Sequence, residues 1–70
     1  MYFVKIGNIT INLEYVTMID ANYKWVEHEG AKHTHREGVL IRFADGSKRI
    51  LDAKDGARFI KCVNTMAAAI

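Results

Sequence analysis

The first thirteen residues alternate between apolar and other side chains on both sides of a Gly-Asn pair, and this pattern limits the fold more than any other feature. Glycine at the first position of a two-residue turn supplies the positive φ angle that a tight β-hairpin needs. Such a turn at Gly7-Asn8 pairs Ile6 with Ile9 and brings the apolar side chains to one face. They are Tyr2, Val4, Ile6, Ile9, Ile11 and Leu13. The sequence therefore predicts a first hairpin whose apolar face needs a cover.

Extended structure is also predicted from Val16 to about Glu29, with Ile19, Tyr23 and Trp25 on one side and Lys24 and His28 on the other. Residues 28–38 contain no apolar period and have a glycine near each end, so they are predicted to form a flexible loop that carries three histidines.

A second hairpin is predicted around Asp45-Gly46, because Asp-Gly between two strand-like runs is a strong hairpin signal. A two-residue turn there pairs Ile41 with Ile50 and Leu40 with Leu51. The last two would share a face with Arg42 and Arg49, and they would point away from Ile41 and Ile50.

The period then changes to that of a helix, with Phe59, Ile60, Val63 and Ile70 on one side. Asp52 is a suitable N-cap, and the carboxylate of Asp55 favours the positive end of the helix. We therefore predict a single α+β domain over residues 1–70. Its architecture is an antiparallel β-meander of about five strands with one C-terminal helix packed on one sheet face.

This order of elements resembles that of small prokaryotic β-meander proteins with a C-terminal helix, and it is similar to flagellar FlbD-type proteins. The residues that carry the resemblance are at turn and core positions: Gly7-Asn8, Ile11, Leu13, Phe43 and Asp45-Gly46. The resemblance implies a strand-rich body and a short C-terminal helix. It carries over no catalytic residue, because shared core positions imply a fold and not a function.

Length and cysteine content bear on stability and compartment. A chain of seventy residues buries only about 60% of the surface that its unfolded form exposes, so it gains from association with another chain. Cys62 is the single cysteine, which excludes an internal disulfide. With no secretory signal and no apolar run long enough for a membrane span, we expect a cytoplasmic protein.

Three histidines, His28, His33 and His35, are the first candidates for chemistry. They could bind a metal ion or respond to pH, or they could belong to a solvated polar loop. Cys62 is interpreted as a semi-buried filler of the helix, because reactive thiolates gather at helix starts. No phosphate-binding loop or nucleophile elbow is present, so we expect a non-enzyme and assign no cofactor and no metal ligand.

Aromatic and basic side chains on neighbouring strands indicate single-stranded nucleic-acid binding as an alternative. The candidates are Tyr23, Lys24, Trp25, Arg42 and Arg49. The competing interpretation is that Tyr23 and Trp25 belong to the edge of the core, since they share a side with Ile19.

The leading interpretation is a non-catalytic interaction module, an adaptor or regulator that binds an unknown protein partner and associates with itself. One helix covers one sheet face only, which would leave Phe3, Leu40 and Leu51 as an oligomer interface. The modest net charge of +2 identifies no partner.

Overall fold

Within the described residues the fold consists of five antiparallel strands and one helix, and the predicted α+β architecture is confirmed. The computed structural model describes the backbone of residues 2–68 and the side chains of residues 2–65. A short 3-10 turn, Leu13–Tyr15, links the second strand to the third. The elements are β1 (Phe3–Ile6), β2 (Ile9–Asn12), β3 (Val16–Glu29), β4 (Lys32–Phe43), β5 (Lys48–Asp52) and α1 (Ala53–Ala68). They form a two-stranded sheet, β1-β2, and a three-stranded sheet, β3-β4-β5.

The first hairpin has the predicted register. Ile6 pairs with Ile9 and Val4 with Ile11, while the Leu13 N–H donates to the Tyr2 carbonyl oxygen at 2.9 Å. Gly7 adopts a φ of +58°, as the first position of this tight turn requires.

One hydrophobic core joins both sheets and the helix. Helix α1 contacts β1, β4 and β5, so the first hairpin and the helix lie against the same face of the three-stranded sheet. Ile41 of β4 and Phe59 of α1 are completely buried. The buried cluster consists of Val4, Ile6, Ile11, Val39, Ile41, Leu51 and Phe59.

The helix begins as predicted. The Asp52 carboxylate accepts a hydrogen bond from the Asp55 N–H at 2.8 Å, which satisfies one of the unpaired donors of the first turn. Ile60 and Val63 pack against the core beside Phe59. The last member of the predicted apolar stripe, Ile70, lies outside the described residues.

The predicted register of the second hairpin is wrong by one residue. Its loop has three residues instead of two: the Gly46 N–H donates to the Phe43 carbonyl at 3.0 Å, and the Phe43 N–H donates to the Ser47 carbonyl at 2.9 Å. With Gly46 at a φ of +90°, this is a type I turn closed by a glycine bulge.

The longer loop changes which side chains share a face. Leu40 pairs with Ile50, and Val39 pairs with Leu51. Leu51 therefore belongs to the core with Ile41, instead of lying on the opposite face beside Leu40.

The predicted flexible loop over residues 28–38 is also wrong, because this segment forms the end of a long hairpin. Strands β3 and β4 stay paired from Tyr23↔Gly38 to Glu29↔Lys32, and Gly30, at a φ of +60°, opens a two-residue turn. The sequence does not predict these strands, because neither of their faces is buried and their side chains therefore do not alternate between apolar and polar. We call residues 23–38 the arm. It extends a molecule that measures 47 × 24 × 21 Å.

Gly56 lies where α1 packs tightly against Val39 of the sheet, and this gives a first prediction. A Cβ at this position would lie 2.6 Å from Cγ2 of the buried Val39 and 3.3 Å from the Val39 backbone nitrogen. Alanine would add about 1 kcal/mol of helix propensity, but overpacking a tight core costs about 1–3 kcal/mol. We expect Gly56→Ala to lower the free energy of unfolding in urea denaturation.

The Val39→Ala background provides the control, because it removes the methyl group that the new Cβ would meet. There the same glycine substitution should cost clearly less stability, although the Cβ and backbone nitrogen of residue 39 remain 3.2 and 3.3 Å from the new Cβ. A gain in stability with Val39 present would contradict the close approach.

The Asp45 carboxylate at the second turn gives a pH-dependent prediction. The hydroxyl and the backbone N–H of Ser47 both donate to it, at 2.6 and 2.9 Å, and these bonds lower the pKa of Asp45 below 3.8. A lowered pKa in the folded state contributes stability at neutral pH, which is lost as the pH falls through that pKa. Ser47→Ala should move the pKa of Asp45 upward in a carboxyl NMR titration. An unchanged pKa would show that the hydroxyl does not hold the carboxylate.

Candidate interaction surface on the sheet and the arm

The three-stranded sheet has one face that neither the helix nor the first hairpin covers, here called the outer face. Residues directly opposite in an antiparallel pair lie on the same face, and side chains alternate along each strand. On β4, Val39 and Ile41 point into the core, so the residues between and beside them point to the other face. These β4 residues and their cross-strand partners on β3 and β5 define the outer face. Its principal members are Met18, Asp20, Tyr23, Trp25, Arg36, Leu40, Arg42, Lys48 and Ile50.

A β-bulge decides which arm residues join the outer face. Asp20 pairs with Leu40 and Tyr23 with Gly38, so Ala21 and Asn22 together stand opposite one residue of β4. The Asn22 N–H donates to the Asp20 carboxylate at 3.0 Å across this irregularity. The extra residue inverts the alternation of β3.

Tyr23 and Trp25 consequently lie on the face opposite Ile19, which packs against the core. The interpretation of these two aromatic residues as a core edge beside Ile19 is therefore wrong. They stack on each other with ring centroids 5.7 Å apart and an interplanar angle of 24°, and both are half-buried.

Apolar side chains continue from this aromatic pair onto the body of the sheet. Leu40 is only 4% exposed although it lies outside the core cluster, and the register sets it between Asp20 and Ile50. Ile50 and Met18 remain 39% and 43% exposed. The outer face thus has an apolar centre of five side chains, formed by Met18, Tyr23, Trp25, Leu40 and Ile50.

Charges on the outer face balance. The bases are Lys32, Arg36, Arg42 and Lys48, and the acids are Asp20, Glu27, Glu29 and Asp52. Arg36, which stands opposite Trp25, donates from Nε to Glu27 at 3.3 Å, with both side chains about half exposed. This face therefore carries mixed charge and no strong positive field.

The structure separates the five residues of the nucleic-acid alternative. Tyr23, Trp25 and Arg42 lie on the outer face, whereas Lys24 and Arg49 lie on the other side of the sheet. Sequence reasoning missed Arg36 because it predicted a loop over residues 28–38, where the structure has strand β4. It did not bring Lys48 and Ile50 to this face, because their pairing with Arg42 and Leu40 depends on the three-residue turn.

All three histidines lie on the other side of the arm, here called the histidine face. Its members are Lys24, Val26, His28, His33, His35 and Glu37. His28 stands directly opposite His33, and their rings meet edge to face with centroids 4.6 Å apart. Among the residues that the structure describes, no three histidine, cysteine or acidic side chains are placed so as to hold a metal ion.

Where the arm meets the body, its histidine face borders a groove of about 740 Å³ that also reaches α1. Lys24 and Glu37 line one wall, and Gly56, Ile60 and Lys61 line the other. This groove confirms that Lys24 lies on the helix side of the sheet.

Two other candidates from the sequence lie apart from these surfaces. Cys62 is exposed on α1, so its interpretation as a semi-buried filler is wrong. Phe3 is 49% exposed and pairs with Asn12 on the side of the first hairpin that faces away from the core.

Comparison with known proteins gave no match to a family model, to a curated protein or to a solved structure. The resemblance to FlbD-type proteins therefore stays a prediction. Within residues 2–68, no helix is long and apolar enough to cross a membrane.

Proposed function

We propose that this protein is a non-catalytic interaction module, an adaptor or regulator, whose outer face binds a second copy of itself. The observation that carries the proposal is the apolar centre of the outer face, where the exposed Met18 and Ile50 lie beside the half-buried Tyr23 and Trp25, on the far side of the sheet from the buried core. Contiguous exposed apolar surface of this kind is typical of protein–protein interfaces.

The size of the outer face supports a stable contact. The 12 residues of β4 span about 40 Å, and two strands are about 10 Å wide, so with β5 the projected area is roughly 500 Å². Protruding side chains make the accessible area larger than the projection. A standard interface buries about 800 Å² on each partner, which is within reach of this face.

Charge balance supports a second copy as the partner. Two-fold symmetry brings the same patch of both chains together, so the patch must complement itself. A face with four bases and four acids has no net charge, so two copies can approach each other without net repulsion. The apolar centre of each copy then covers that of the other.

The interface proposed from the sequence changes accordingly. Leu40 stays in the proposed interface as a buried residue at the centre of the outer face, while Leu51 is in the core. Phe3 lies on the far side of the first hairpin, so it cannot share one interface with Leu40. Ile50 and Met18 take the places of these two residues.

Sedimentation or light scattering at high micromolar concentration tests the proposal. The wild-type protein should have about twice the 8.0 kDa mass of one chain, and Ile50→Asp should restore the monomer because it buries an unpaired charge in the interface. Ile50 is already 39% exposed, so the monomer itself should stay folded.

Val26→Asp is the matched control, since Val26 is 41% exposed but lies on the histidine face. This variant should keep the dimer. A folded wild-type protein that stays at 8.0 kDa, or equal disruption by both variants, would contradict an interface on the outer face.

Single-stranded nucleic-acid binding is a second candidate, favoured by one observation: the stacked Tyr23–Trp25 pair lies on the same face as Arg36 and Arg42. Bases stack on aromatic rings while cations contact phosphates. The four acids of the outer face oppose this candidate, because they cancel the positive field that phosphate binding needs.

The fluorescence of Trp25, the single tryptophan, separates the two candidates. Nucleic-acid binding predicts that a mixed-sequence DNA 12-mer quenches this fluorescence, with an affinity that falls steeply as the salt concentration rises. Self-association through the outer face predicts little change on adding the oligonucleotide. Salt-sensitive quenching at sub-micromolar concentration, absent in Arg36→Ala, would favour nucleic-acid binding instead.

A further inference from the structure

The hairpin register of the arm brings together every imidazole of the chain. His33 and His35 are two residues apart on β4, so their side chains leave the same face about 7 Å from each other. His28 on β3 stands directly opposite His33, and Cβ atoms of such a pair are about 5 Å apart. The three histidines therefore form a compact triangle on one side of a two-stranded ribbon.

We propose that His28, His33 and His35 bind one zinc or similar transition-metal ion, such as Cu²⁺ or Ni²⁺, on the histidine face. Imidazole nitrogen is a preferred ligand for these metals. Three histidines leave a fourth position of a tetrahedral zinc ion for water or for a group from another molecule. The site is independent of the outer face, which lies on the other side of the arm.

Two of the three rings are already in contact. The centroids of His28 and His33 are 4.6 Å apart, so these two imidazoles are immediate neighbours on the histidine face. All three side chains are exposed, so they can change rotamer without disturbing a packed neighbour. As placed, the rings touch edge to face, and ligation requires them to turn so that one nitrogen of each points to a common centre.

The surroundings of the triangle fit a bound cation. Val26, opposite His35, supplies an apolar neighbour beside the imidazoles. The two other charged residues on the histidine face, Lys24 and Glu37, are cross-strand partners of opposite charge and lie beyond Val26. The tight turn at Gly30 fixes the strand pairing next to His28, which lowers the entropy that a flexible histidine tract would lose on chelation.

Isothermal titration with zinc chloride tests the site in a Cys62→Ser background, which removes the only thiol. We expect one zinc ion per chain. His35→Ala should weaken binding at least about tenfold, because even the loss of an outer-shell partner of a ligand costs roughly 10–100-fold in metal affinity. Protons compete for the ligating nitrogens, so binding should also weaken as the pH falls.

The sharpest control exchanges the neighbours Thr34 and His35, as Thr34→His together with His35→Thr. Composition and sequence distance hardly change, but one imidazole moves to the outer face. The register predicts that this exchange weakens zinc binding about as much as His35→Ala does. Circular dichroism checks that the exchanged protein stays folded.

Two results would overturn the proposal. One is equal zinc affinity in the wild-type and exchanged proteins, which is what a flexible histidine tract gives. The other is no binding by the wild-type protein at millimolar zinc. Repeating the titration with Ile50→Asp separates this site from self-association, because the monomer should bind zinc as the wild-type protein does.

Discussion

Contact between the core side of β4 and the covering layer is the interaction on which the rest of the molecule depends. Ile41 and Phe59 are both completely buried, and the same cluster includes Val4 and Ile11 of the first hairpin. Helix, hairpin and three-stranded sheet are thus stabilised by one set of apolar contacts. A chain of this length has enough apolar side chains for one such layer, and the outer face and the arm are left to solvent or to partners.

Sequence reasoning succeeds wherever a local signal and a burial pattern agree. The Gly7 turn and the alternation around it predict the first hairpin in its correct register, and the Asp52 cap with the Phe59 stripe predicts the helix. It fails at two places where the chain has one residue more than the simplest pairing. These are the three-residue loop at Gly46 and the bulge at Ala21-Asn22. Strand geometry has a period of two, so each extra residue moves the following side chains to the other face.

The candidate surfaces were therefore harder to predict than the fold. The extra residue in the loop at Gly46 places Leu51 in the core, and the bulge in β3 places Trp25 on the outer face. The end of the arm, residues 28–38, was predicted as a loop for another reason. Its side chains are exposed and mostly polar, and the pairing of its strands does not depend on a buried face. The alternation of apolar and polar residues in a sequence indicates which face of a strand is buried. A two-stranded hairpin that is exposed on both faces has no such alternation, so its strands are hard to predict.

The bulge at Ala21-Asn22 also makes the placement of side chains along the arm independent of their placement in the body of the sheet. Changes in length at this point alter the rotation of the arm and leave the pairing of Ile19 with Ile41 in place. One residue gained or lost there would exchange the two faces of β3 along the arm and so expose different side chains on each face. The contacts of the buried core would stay the same. The chemistry that the arm presents to its surroundings can therefore change without a change of fold.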